Sequence, residues 1–327
     1  MKLEPNRGRR RALLALAAAP IAFHGSRASA QSTWTKPIRL VVPNPAGGGT
    51  DVAARIIGQR VSERLGQPVV VDNRPGAGGV VAAEVVAKSP ADGYTLLYAT
   101  AGFAAIPALV ANVPYDTLKD FVPVSLTLRG NSIIVVSPSL PIHTLAELIA
   151  YSKQKPDALN CGSPSAAVTL AYEYFKSLTG ARLTVVPYRG SVQAFTDFVG
   201  GQVQVLLDPA ISMLPQVKSG KARALAVTGE RRDAAAPDVP TVAESGYPTF
   251  TLPSWHGVFA PAGSPKPVID RLQAEFVHAV AAPDIKEKLQ QIGVEPLGQP
   301  AAELGRLLER EVQLWTAIGR QSGIKPA

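Results

Sequence analysis

The chain has 327 residues, 46% of them apolar and 18% charged. That excludes a disordered protein and gives enough chain for two ordinary domains with filled cores. The formal charge of +8 is no nucleic-acid signal: residues 1–30 hold six Lys/Arg and one acid, leaving 27 bases against 24 acids beyond them.

The first thirty residues form an export leader. Arg9-Arg10-Arg11 precedes an apolar run from Ala12 to Phe23, and Ala28-Ser29-Ala30 ends it before Gln31. A basic start, a short apolar middle and an A-x-A end describe a cleavable signal peptide, and the run is too short to span a bilayer. Cleavage is expected near Ala30/Gln31 and the mature protein in the periplasm; the arginines leave the twin-arginine route open. A second uncharged stretch, Leu96 to Val113, contains Gly102, Pro107 and Asn112. It is assigned to a buried strand, loop and short helix rather than to a membrane span.

Beyond the leader, short β-branched runs alternate with helical patterns. Ile38–Val42, Val69–Val71, Thr95–Tyr98, Ile133–Val136, Thr184–Val186, Val203–Leu207 and Ala222–Val227 fit strands buried on both faces. Thr50–Leu65 fits a helix with Val52, Ala53, Ile56, Ile57, Val61 and Leu65 on one stripe, stopped by Gly66 and Pro68. Thr144 and Glu147 form a capping box for a helix over Thr144–Lys155. A last helix near Ala301–Gly319 carries Leu304, Leu307, Leu308, Leu314, Trp315 and Ile318. This alternation predicts an α/β fold with largely parallel sheets. Arg231–Pro240 fits a surface loop.

The sharpest local feature is Pro43-Asn44-Pro45-Ala46-Gly47-Gly48-Gly49-Thr50-Asp51, between a strand and a helix. Its glycines can turn backbone N–H groups outward, and the helix start adds positive potential, which together suit an anion such as a carboxylate. A plain turn with Thr50 or Asp51 as cap accounts for the pattern equally well. Pro75-Gly76-Ala77-Gly78-Gly79 fails dinucleotide spacing and is taken as a turn. Three further strand ends lead into helices or stop: Cys161–Ser165, Pro187–Ser191 and Leu206–Pro209. Ligands in open α/β sheets bind outside such ends. Ser163, Ser165 and Ser191 could equally only cap helices, and Asp208 only end a strand.

No catalytic set emerges. Beyond the leader there are three histidines, His143, His256 and His278, with no H-E-x-x-H or G-x-S-x-G motif. His143 sits by the capping box, His278 falls in a helix, and only His256, in Ser254-Trp255-His256-Gly257, has a distinctive setting. Cys161, the single cysteine, leaves no internal disulfide or multi-cysteine metal site and fits buried packing better than nucleophilic chemistry. No cofactor, metal or nucleic acid is expected.

Several ordered stretches carry a family likeness: Lys36–Pro43, Pro45–Asp51, Asn73–Gly79, Asp92–Leu97, Pro187–Ser191, Gly200–Val203, Arg223–Thr228, Pro237–Glu244 and Phe259–Gly263. On these the chain beyond the leader resembles, from end to end, the extracytoplasmic solute-binding proteins of the tripartite tricarboxylate transporter group, the Bug family. The resemblance implies a two-lobed periplasmic-binding-protein-like fold with an interlobe ligand cleft. Lobe 1 would be discontinuous, 31–128 plus 253–327, and lobe 2 would cover 129–252. It implies a non-enzymatic monomer that captures a small organic carboxylate and delivers it to integral-membrane carrier subunits. The rival readings are a receptor that signals to a membrane partner and a doubly wound α/β enzyme.

Carried over from the resemblance, the ligand would meet Pro45, Ala46, Gly47, Gly48, Gly49, Thr50 and Asp51 from the first lobe. Ser163, Ser165, Ala166, Arg189, Gly190 and Ser191 would face it from the second. Asp208 would accept a hydrogen bond from a ligand hydroxyl or amine, and Gly102, Phe103 and Trp255 complete the expected site. The chain departs from the family pattern at Ser163-Pro164-Ser165-Ala166-Ala167-Val168-Thr169, at Phe103-Ala104-Ala105-Ile106-Pro107 and at Pro209. These changes remove hydroxyls and predict a more apolar pocket, suited to an aromatic or partly apolar monocarboxylate.

Overall fold

The computed structural model describes Met1 and residues 34–321 apart from Arg189. The leader, its cleavage point and the expectation for Arg189 lie outside the described residues. In chain order the elements are β1 (Ile38–Val42), α1 (Gly49–Leu65), β2 (Val69–Asn73), α2 (Val80–Ala87), β3 (Thr95–Thr100), α3 (Gly102–Leu109), β4 (Phe121–Gly130) and β5 (Ser132–Val136). Then follow α4 (Leu145–Gln154), β6 (Asn160–Ser163), α5 (Ala166–Thr179), β7 (Thr184–Pro187), α6 (Ser191–Val199), β8 (Val205–Pro209), α7 (Ala210–Lys218) and β9 (Arg223–Val227). The chain closes with β10 (Ser254–Pro261), α8 (Lys266–Ala281), α9 (Pro283–Gln291), β11 (Glu295–Pro300) and α10 (Ala301–Gln321). None of these helices is long and apolar enough to cross a membrane, and Leu96–Val113 resolves into β3, a turn and α3.

Two sheets head two α/β lobes. A six-stranded sheet runs β11-β4-β10-β3-β1-β2 and a five-stranded sheet runs β7-β6-β8-β5-β9. The chain leaves the first sheet at Gly130, enters the second at Ser132, and returns between Val227 and Ser254. Both sheets are mixed, which corrects the expectation of largely parallel pairing. β1 with β2 and β3, and β6 with β7 and β8, are parallel. β10 is antiparallel to β3 and β4, β11 to β4, and β5 to β8 and β9. For β10 the physical cause is the return crossing: it arrives from the other lobe, outside any strand–helix–strand unit, so no right-handed crossover aligns it with its neighbours.

Two other expectations need correction. β2 and β7 are edge strands, with Val70 half exposed, so they are not buried on both faces. The buried face of α1 is Thr50, Ala53, Ala54, Ile57, Gly58 and Val61, whereas Val52, Ile56 and Leu65 are only half-buried. The stripe is rotated because Gly58 lets α1 lie close to the sheet: a Cβ there would sit 3.3 Å from Val69 Cγ1. Gly66, at φ 64°, ends the helix in the left-handed conformation that glycine adopts without strain.

The capping box of α4 forms one residue out of step. The Glu147 amide donates to Thr144 Oγ1 at 3.1 Å, while the Glu147 carboxylate accepts from the His143 amide at 2.6 Å. On α10 the predicted stripe buries Leu304, Leu307, Leu308, Trp315 and Ile318 but leaves Leu314 partly exposed, and Glu311 takes a place in it. The lobes share one apolar cluster: Phe103 packs at 5.0 Å against Phe121 and 5.3 Å against Phe259, and Leu170, Phe175 and Leu207 of the second lobe join it. Each such side chain contributes about 1.5–3 kcal/mol on burial, so helix and strand ends at the interface are held firmly.

Candidate functional site: the interlobe cleft

A cavity of about 150 Å³ opens where the strand ends of both lobes meet. From the first lobe its wall takes Pro43, Asn44, Pro45 and Thr50, then Gly76, Gly78 and Gly79, then Thr100, Ala101 and Gly102. From the second lobe come the start of α5 (Pro164, Ser165, Ala167, Val168), the start of α6 (Gly190, Ser191) and the end of β8 (Leu207, Asp208, Pro209). Ser132, Thr228 and Leu252–Ser254, on the crossing segments, with His256 and Trp315 complete it.

Glycines line part of the contact between the lobes. A Cβ on Gly190 would lie 3.9 Å from Pro45 Cγ, one on Gly102 would lie 4.0 Å from Ala167 Cβ, and one on Gly49 would lie 2.8 Å from Ile211 Cγ2. A methyl at Gly190 or Gly102 would make ordinary contact across the cleft, whereas one at Gly49 would clash with Ile211, so Gly49 is the glycine that the close approach requires.

The structure therefore brings Pro45, Thr50, Gly102, Ser165, Gly190, Ser191 and Asp208 together around one cavity. It takes the other expected residues elsewhere. Ala46 and Gly47 are exposed on the outer rim, and Gly48 is the α1 cap, outside the wall. Gly49 is turned against Ile211. Asp51 faces its own lobe: it accepts from the Gly47 amide at 2.9 Å, from Arg55 Nε at 3.0 Å and from Asn73 Nδ2 at 3.0 Å. Burial acts to raise its pKa, but Arg55, Gly47 and Asn73 together hold the carboxyl below its ordinary value. It braces the glycine turn and occupies the Gly47 amide, which leaves Pro45 and Thr50 as the part of this segment on the cavity wall.

Ser163 is buried, donating to the Ser165 carbonyl at 2.9 Å and pairing with Thr169 Oγ1 at 2.8 Å. Ser165 does both things considered for it: it caps α5, accepting from the Val168 amide at 3.3 Å, and it lines the cavity. Ala166 opens α5. Phe103 is core, enclosed by Tyr115, Phe121 and Phe259. Trp255 lies on a different, larger cavity of about 610 Å³, which shares only Pro253 and Ser254 with the cleft.

Two buried acceptors on the cleft wall lack partners, Asn44 Oδ1 and Asp208 Oδ2. The other Asp208 oxygen accepts from Ser191 Oγ at 2.8 Å. Burial pushes the Asp208 carboxyl up to about 7, with the Ser191 hydroxyl pulling weakly the other way. An orphaned acceptor in a dry site is costly unless something donates to it, so both atoms suit a ligand that brings N–H or O–H groups. His256 Nδ1 lies 3.2 Å from the Tyr98 hydroxyl, and burial lowers its pKa to about 4. It is a neutral polar wall residue at pH 7, with no acid–base partner. His278 is exposed beside Arg64, and burial pushes the Cys161 thiol well up, away from nucleophilic chemistry. Among the described residues no three His, Cys, Asp or Glu side chains are grouped to hold a metal.

Sequence reasoning missed part of the wall. The second glycine cluster, taken as a turn, reaches the cavity because Gly76, Gly78 and Gly79 adopt φ 146°, 65° and 106°. Its density of glycine before a helix was the available signal. Trp315 gave none, since a cleft residue and a core residue occupy the same stripe of α10.

Two α/β lobes, crossed by separate segments and closing strand ends over one small cavity, define a solute-binding receptor. The family model described as "Tripartite tricarboxylate transporter family receptor" matches residues 53–324, and the chain belongs to this family. It is thus a solute receptor rather than an enzyme. Protein BugT of Bordetella pertussis is 37% identical over 304 residues, 91% of this chain and 92% of BugT. Rpa4515 of R. palustris, solved with adipate, is 38% identical with a TM-score of 0.85, over 90% of this chain and 99% of that one. MatC of Rhodopseudomonas palustris, solved with bound malate, is 30% identical with a TM-score of 0.81, over 87% of this chain and 99% of that one.

Proposed function

We propose that the protein is a periplasmic receptor that captures a small organic carboxylate in the interlobe cleft and delivers it to a tripartite-type membrane carrier. The observation that carries this reading is the convergence of helix starts from both lobes, at Thr50, Ser165 and Ser191, on one cavity. The first amides of a helix lack intrahelical partners, and the helix dipole favours negative charge there. The adipate and malate bound by two related structures support a carboxylate. The leader-like residues 1–30 support export.

The mechanism is a clamp. A carboxylate bridging both lobes gains charge-assisted hydrogen bonds worth about 1.5–3 kcal/mol each, available together only when the lobes are closed. Four or five of them, offset by ordering costs, suit micromolar binding at about −8 kcal/mol. The lobes would be 31–128 plus 253–327 and 129–252, moving about residues near 131 and the 228–253 return. Asp208 would take a hydroxyl or amine of the ligand. Arg189, Ala166 and the rim from Ala46 to Gly49 could contribute charge or backbone amides once a ligand is bound.

Val168, Ala171, Leu207, Leu252 and Trp315 give the cleft an apolar flank, so the favoured ligand is an aromatic or partly apolar acid. A thermal-shift screen tests this. Aromatic and medium-chain acids are expected to raise Tm more than citrate or malate at equal concentration. Stabilisation by citrate and malate with none by apolar acids would contradict it. Capture of a membrane-spanning sensor kinase in place of carrier subunits would favour the signalling alternative.

A further inference from the structure

The cleft and the larger cavity are neighbours along one face of α10, with Pro253 and Ser254 on the wall of both. Trp315 lines the first, and Glu311, one turn earlier, lines the second. The two side chains are joined: Trp315 Nε1 donates to Glu311 Oε2 at 3.0 Å. Both are buried, at 4% and 7% exposure. With its N–H spent on Glu311, the indole has only carbon surface to offer the cleft. Trp315 also belongs to one continuous apolar cluster with Ala171, Leu207 and Leu252, which share the cleft wall.

We propose that Trp315 is the specificity-determining end stop of the cleft, limiting the length of the apolar part of the bound acid, and that Glu311 positions it. This rests on the carboxylate-binding reading above. An acid anchored at the helix starts would extend its carbon chain along the apolar cluster until it meets the indole. Glu311 fixes the stop because a tryptophan held at one end by a hydrogen bond gives up its rotamer freedom before the ligand arrives. Glu311, which holds the indole, lines the cavity of about 610 Å³, against about 150 Å³ for the cleft that Trp315 lines. Shortening Trp315 would join the two spaces and let longer chains through.

Calorimetric titration with straight-chain monocarboxylates and dicarboxylates of four to ten carbons tests the proposal. The wild type is expected to show an optimum length, gaining about fourfold per methylene up to it and losing affinity beyond it. Trp315→Ala should move the optimum two or more carbons longer, with the longest acids gaining about tenfold and the shortest losing affinity. Trp315→Phe, a smaller change that keeps an aromatic ring in the core, should move it by less. Glu311→Leu should broaden the length preference, and Glu311→Gln, which keeps an acceptor for the indole N–H, should restore it. Equal loss at every length in both Trp315 variants, with folding intact by circular dichroism, would overturn the end-stop role while leaving carboxylate binding in place. A wild type that binds no acid of any length would overturn the carboxylate reading, and the end stop with it.

Discussion

Asp208→Asn is expected to stabilise the unliganded protein at pH 7.5 by on the order of 2–4 kcal/mol and to leave it nearly unchanged at pH 4. The wild-type carboxyl titrates near 7 in the folded protein, against an ordinary value of 3.8. Between those values the folded protein keeps a proton that the unfolded chain has released, so stability falls as pH rises from about 4 to about 7 and then levels off. Asparagine carries no such proton and can still accept from Ser191. Glu311, raised by burial to about 7, contributes in the same direction. His256, lowered to about 4, contributes oppositely below pH 6.5. Subtracting wild type from variant removes both. Denaturant titrations across pH 4–8 check this, and parallel curves for the two proteins would contradict it. The proposed cost to function is separate: Asp208→Ala should weaken binding of a hydroxylated or amino acid ligand without unfolding the protein, and unchanged affinity would take Asp208 out of the site.

Gly49→Ala is expected to weaken ligand binding by about five- to 150-fold while changing the Tm of the unliganded protein little. The added methyl would sit 2.8, 2.9 and 3.0 Å from three carbons of Ile211. Ile211 rises from the first turn of α7, yet packs in the core cluster of the first lobe. Leu214, on the same helix, would lie 3.2 Å from a Cβ on Gly293. Two second-lobe side chains thus enter glycine-sized spaces in the first. Ile211 also lies three residues after Asp208, so the lobe contact and the cleft share one strand-to-helix junction. Overpacking this contact costs about 1–3 kcal/mol and opposes closure, whereas separation of the lobes relieves it. Gly49→Ala combined with Ile211→Ala should recover much of the affinity. Calorimetry and small-angle scattering measure the two effects, and full affinity in Gly49→Ala would contradict the coupling.

What the sequence revealed was mostly local. The α10 stripe, the Thr144 cap and the Gly66 stop depend on neighbours three or four residues away, and each lies near its expected place, whereas the α1 stripe is rotated from the one expected. β10 was hidden because Ser254-Trp255-His256-Gly257 contains no β-branched residue; its pairing with β3 and β4 joins segments far apart in the chain. At the cleft, a glycine-rich segment opening a helix could be found by inspection, but which of its residues face inward could not. Asp51 illustrates this. Its charge suggested a role at the site, yet Arg55 and Asn73 already engage it. Trp315 illustrates the reverse, because the same apolar stripe serves both core and cleft.

The most direct test is a crystal structure with the acid that gives the largest thermal shift. The account predicts its carboxylate within hydrogen-bond distance of both lobes, at Thr50 on one side and Ser165 or Ser191 on the other, with its carbon chain against Trp315. An acid seated instead beside Arg129 and Arg310 in the larger cavity, or held by one lobe alone, would contradict it.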